Sequence, residues 1–161
     1  MASEVWMRLV DGLKFDVRTG NGAELRIDSP KAGEDPTGPS PVELVLVGLG
    51  GCGAMDVISI LRKMRQEVTD YALRVTGERA EDHPRVFTSA VIHHFLRGRG
   101  LHEESVRRAI YLSMSRYCPV FAMLAPTVPI AVRYEITDEE TGEVRAGYVQ
   151  TDMPEPKVEA P

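Results

Sequence analysis

Residues 41–61 constrain this chain more than any other stretch. They are apolar almost throughout, yet Gly48, Gly50, Gly51 and Gly53 crowd around Cys52 at their centre. Helix-start signals precede them: Ser40 can cap, Pro41 suits the first helical position, and Glu43 can reach back to the Ser40 amide to close a capping box. Arg62, Lys63 and Arg65 follow, where basic residues complement the dipole at a helix C-terminus. The spacing predicts one helix from Pro41 to about Gln66, roughly 40 Å long at 1.5 Å per residue. Its first half is apolar on nearly all sides, so it reads as a long central buried helix, packed on its own sheet on one side and on another helix or subunit on the other. Each interior glycine costs on the order of 1 kcal/mol relative to alanine. The four glycines therefore imply close approach of a backbone, a partner helix or a small substrate beside Cys52.

A membrane span does not fit this stretch, because Glu43 and Asp56 bound an uncharged run of only twelve residues, four of them glycine. The full 161 residues suit one domain, read as 1–150, with a disordered tail over 151–161. Lys and Arg number 19 against 24 Asp and Glu, a net charge of −5 with the signs interleaved, which argues against nucleic acid or a membrane surface as partner. The first residues lack the basic and apolar regions of a secretory signal, so a cytoplasmic location is expected. Two cysteines in that compartment are not expected to form a permanent structural disulfide.

Around the helix, the pattern is one of short strands. Val5–Val10, Leu13–Arg18 and Ala23–Asp28 alternate with period two and are separated by Asp11-Gly12 and Thr19-Gly-Asn-Gly22, which predicts a meander with Val5, Met7 and Leu9 on one face. Ser29–Ser40, rich in Pro and Gly, is a connector or a lid. Asp70–Gly77 and Val86–Leu96 alternate again. His93 and His94 fall in the second of these strands and point to opposite faces, so they cannot chelate one ion together, and no metal site is expected. A second helix runs from Leu101 to about Cys118, where Pro119 biases its predecessor out of the α region. Pro119–Leu124 begins a short new helix with Cys118 at its cap. Val128–Ile136 is a strand, and Val144–Val149 a weak edge strand. The fold class is α+β, in the order β-β-β-α-β-β-α-α-β.

Each cysteine alone packs as a small hydrophobe. Together they have a chemistry: a thiolate attacks a peroxide to give a sulfenic acid, and a second thiol condenses with it to a disulfide. That requires the fold to bring residues 66 positions apart to Cα separations of about 4.4–6.8 Å. Cys118, near unpaired amides and a positive dipole end, could ionise before Cys52.

Ser40-Pro-x-Glu-Leu-x-Leu-x-Gly-Leu-Gly-Gly-Cys52, followed by Tyr117-Cys118-Pro-Val120, resembles the OsmC/Ohr family of thiol-dependent organic hydroperoxide reductases over roughly residues 5–140. The resemblance implies an intertwined homodimer, Cys52 as peroxidatic and Cys118 as resolving cysteine, no bound cofactor, and reduction by an external dithiol such as a dihydrolipoyl group. Leu49, Met55, Phe121 and Met123 would line an apolar pocket for an organic hydroperoxide. The family's activating glutamate, ten positions before the first cysteine, is Val42 here. Glu43, nine before, lies about 180° around the helix from Cys52 and reads as a cap. For the family's hairpin arginine the candidates are Arg8, Arg18 and Arg26. Asp56, one turn after Cys52, would raise a thiol pKa or make a structural bond. The pattern is that of a divergent OsmC-like branch. The alternative function is a non-catalytic dimeric module that binds an apolar ligand or senses redox state.

Overall fold

The computed structural model describes residues 2–151, so the expected tail from residue 152 onward lies outside the described residues. The elements are β1 (Val5–Asp11), β2 (Lys14–Thr19), β3 (Glu24–Ile27), α1 (Pro41–Lys63), β4 (Glu67–Arg79), β5 (Phe87–Arg99), α2 (Glu103–Leu112), a π-helical turn (Ser113–Tyr117), α3 (Pro119–Leu124), β6 (Ile130–Asp138) and β7 (Val144–Val149). This is the α+β order expected from the sequence, with β7 as the added edge strand. The chain divides into two compact units between Val45 and Leu46.

In the first unit β1, β2 and β3 form an antiparallel meander. Alternation buries Val17 and Ile27. β1 is exposed along its whole length, including Trp6 at 71 %. The Val5, Met7 and Leu9 face predicted for it is therefore present but uncovered in the single chain. The segment after β3 is tied back to the end of that strand. The buried Asp28 carboxylate accepts from the Thr37 N–H at 3.0 Å and from its hydroxyl at 2.7 Å, and the Asp28 N–H donates to Pro39 O at 3.1 Å. Those bonds hold the Asp28 carboxyl below its ordinary range. The capping box is formed as read: Glu43 Oε2 accepts from the Ser40 N–H at 2.7 Å and hydroxyl at 2.8 Å, and the Glu43 N–H donates to Ser40 Oγ at 3.3 Å.

The second unit carries the sheet β4-β5-β6-β7, in which β5 and β6 are parallel and the other pairs antiparallel. A parallel pair needs a long crossover, and α2, the π turn and α3 supply it. Leu49, Val57 and Leu61 of α1 are buried in one core with Ile92 and Leu96 of β5 and Ile110 of α2. The opposite side of α1 is open, with Val47 61 % and Met55 74 % exposed. Burial of the helix is thus one-sided in the single chain, and the face expected to meet another helix or subunit is open. By length and composition α1 would pass for a membrane span, which its short uncharged run did not indicate. Its core-facing residues pack inside the protein instead.

The four glycines of α1 differ in what they face. A Cβ on Gly50 would lie 2.6 Å from Val75 Cγ2 of β4, whereas one on Gly51 would meet nothing within 4 Å. Gly50 is therefore what lets the helix sit against the sheet. Gly50→Ala is expected to destabilise the protein by about 1–3 kcal/mol, because Val75 is β-branched and cannot rotate away. Urea unfolding at unchanged m-value would measure the loss.

Candidate active site

Helix α1 presents Cys52 and Asp56 four residues apart on one face. Cys118 arrives from the crossover. Its N–H donates to Ser113 O at 2.8 Å, closing the π turn, and its φ of −78° and ψ of 103° are the extended values that Pro119 favours. It caps α3, its Sγ accepting from the Phe121 N–H at 3.3 Å. Cys52 Sγ, Cys118 Sγ and a carboxylate oxygen of Asp56 all lie within 4.8 Å of one another. The buried Ser113 hydroxyl donates to Asp56 Oδ2 at 3.1 Å and lies 3.5 Å from Gly53 O. Asp56 thus makes the structural bond weighed for it. The π turn had no sequence signal beyond the proline that ends it.

Cys52 is half-buried and Cys118 buried. Burial pushes the Cys118 thiol up to about 11, and its hydrogen bond with Cys52 adds to the rise; the Phe121 N–H opposes it. Desolvation therefore outweighs the helix N-terminus at Cys118.

Behind Cys118 lies a cavity of about 10 Å³, enough for one water, walled by Leu49, Ser113, Phe121 and His94 among others. Met55 and Met123 lie away from this cavity, with both side chains exposed in the single chain. His94 was weighed in the sequence only as a metal ligand with His93. The period-two alternation that turns Ala90, Ile92 and Leu96 inward turns His94 inward too, so its place in the core was readable. Its Nδ1 lies 2.8 Å from the Tyr71 hydroxyl, and burial, then the neighbouring His93, lowers its pKa to about 4. Of the hairpin arginines, Arg26 is ion-paired with Asp16 at 2.7 Å, while Arg8 and Arg18 are exposed on the meander.

A family model described as OsmC-like protein matches residues 33–133. The chain belongs to the OsmC family. Protein YhfA of Escherichia coli strain K12 is 40 % identical over 130 residues, covering 81 % of this chain and 95 % of the relative. A solved hypothetical protein from Aquifex aeolicus VF5 shares the fold with a TM-score of 0.78 and 31 % identity, covering 87 % of this chain and 99 % of that one. An organic hydroperoxide resistance protein OsmC from Legionella pneumophila superposes with a TM-score of 0.61 at 14 % identity, covering 84 % of this chain and 96 % of that one, a likeness of fold. This OsmC family member therefore has the family's two-sheet architecture, with both of its cysteines at one place in it.

Two titrations test the site. The His94 imidazole is expected to stay neutral down to about pH 4, as read from its nitrogen NMR shifts. Because this folded pKa lies below the ordinary value of about 6.5, the contribution of His94 to stability is fully present above pH ~6.5 and is lost as the pH falls toward 4. In Cys52→Ala, alkylation of Cys118 is expected to accelerate with pH well beyond the ordinary thiol value of about 8.5. A rate plateau already near 8.5 would show that burial does not govern this thiol.

Proposed function

We propose that this OsmC family protein is a thiol-dependent peroxidase for organic hydroperoxides, with Cys52 attacking and Cys118 resolving. The observation that carries the reading is the approach of the two sulfurs to within 4.8 Å. The raised Cys118 thiol suits the resolving role, and half-buried Cys52 is the sulfur open to a peroxide. The Cys52 sulfur attacks the terminal oxygen of ROOH, an S–O bond forms, the O–O bond breaks, and alkoxide leaves. A thiol is a stronger acid than an alcohol, so Cys118 supplies the proton that turns the alkoxide into ROH. The resulting Cys118 thiolate attacks the Cys52 sulfenic sulfur, forming the disulfide and expelling hydroxide, which solvent protonates to water. An external dithiol of the dihydrolipoyl class returns both thiols. No bound cofactor enters the cycle.

The substrate class is supported by structures of the same fold: the proteins from Legionella pneumophila and Bacillus subtilis are organic hydroperoxide resistance proteins. The cavity behind Cys118 has room for no more than a water, so the organic group lies on the open side of Cys52, where Met55 is exposed one turn on. OsmC/Ohr proteins are generally dimeric, and a second copy over the Val47, Gly51 and Met55 side of α1 would complete its two-sided burial and wall in the substrate. The cytoplasm, where thiols stay reduced, suits this cycle.

Stoichiometric cumene hydroperoxide is expected to consume both thiols of the reduced protein and yield a Cys52–Cys118 disulfide by mass spectrometry. Cys52→Ser should abolish turnover with a dithiol, and Cys118→Ser should stop at a trappable sulfenic acid on Cys52. Normal turnover by Cys52→Ser would rule the mechanism out.

A further inference from the structure

Asp56 has no task in the peroxidase cycle. Yet it is held firmly in place. Cys52 and Asp56 are one turn apart on the longest helix of the chain, and Ser113 donates to Asp56 Oδ2 at 3.1 Å, leaving Oδ1 for another partner. Cys118 is fixed independently, by the π turn on one side and by its cap on α3 on the other. Two sulfurs and one carboxylate oxygen converge within 4.8 Å from positions whose backbones are set by regular structure. Two sulfurs and a carboxylate oxygen together make a donor set suited to a metal cation.

We infer that the reduced protein binds one divalent zinc ion through Cys52 Sγ, Cys118 Sγ and an Asp56 carboxylate oxygen. Two thiolates exclude magnesium and calcium, which take oxygen ligands, and the carboxylate tells against copper(I), which prefers sulfur alone. Zinc accepts both donor types. With Zn–S bonds of about 2.3 Å, a tetrahedral ion sets its sulfurs about 3.8 Å apart, so the cluster must close by no more than about 1 Å. The fourth position is left to water. Binding releases the two thiol protons to solvent and forms two Zn–S bonds, with no change of oxidation state. Ser113 is the outer-shell group that orients the carboxylate. Zinc and a disulfide exclude each other at these sulfurs. The inference rests on the geometry alone and stands or falls apart from peroxidase activity.

The test uses reduced, chelator-stripped full-length protein in the absence of peroxide, titrated with cobalt(II) as the spectroscopic probe and then with zinc. One equivalent of cobalt is expected to give a sulfur-to-cobalt charge-transfer band with the strong visible bands of tetrahedral coordination, and one equivalent of zinc should bleach both. Cys52→Ser and Cys118→Ser should each halve the charge-transfer intensity or abolish it, and the double variant should show none. Asp56→Asn should keep both thiols titratable but weaken zinc about tenfold or more. Three results would each overturn the site: no charge-transfer band in the reduced parent protein, a band that survives in the double cysteine variant, or unchanged zinc affinity in Asp56→Asn.

Discussion

The contact between Gly50 of α1 and Val75 of β4 sets the distance at which the long helix lies over its sheet, and the thiol pair depends on that distance. Cys52 is only two residues further along the same helix. A side chain at position 50 would lift the helix, and with it the sulfur that has to meet Cys118. The cost of glycine in a helix interior is on the order of 1 kcal/mol, small beside the 1–3 kcal/mol that overpacking would impose here. Gly51 makes no such contact within the chain, so its reason lies on the open side of α1.

Electrostatics at the site are decided by a competition that has a definite winner. The cap position of Cys118 offers its sulfur the Phe121 N–H, which favours the thiolate. Burial among Leu49, Met114 and Phe121 disfavours any charge there and prevails. The two cysteines consequently differ in kind: one half-buried on a helix face, the other enclosed, its thiol raised by burial. The same enclosure surrounds His94, which is kept neutral and hydrogen-bonded to Tyr71. Asp56, half-buried, accepts from the Ser113 hydroxyl on this side of the core.

Much of this was legible locally. The capping box at Ser40 and Glu43, the start of α3 at Pro119, the cap role of Cys118 and the edge strand Val144–Val149 each depend on residues within one turn or one hairpin, and each appears where the spacing put it. What local pattern left open has a common cause. The exposure of β1, the one-sided burial of α1 and the outward Met55 and Met123 all depend on what covers a face, and alternation specifies a face without specifying its cover. The π turn depends on how α2 must end to deliver Cys118, a constraint imposed by β6 pairing in parallel with β5 on the far side of the crossover.

By itself, then, the sequence determined the elements, their order and the two cysteines on which chemistry could rest, because propensity, capping and periodicity act over a few residues. Only the tertiary structure decided that sulfurs 66 positions apart meet, that Asp56 joins them under Ser113, and that burial raises the Cys118 thiol. Those outcomes turn on packing distance and desolvation, which depend on residues brought together from α1, β5 and the crossover and have no signature within any one of them.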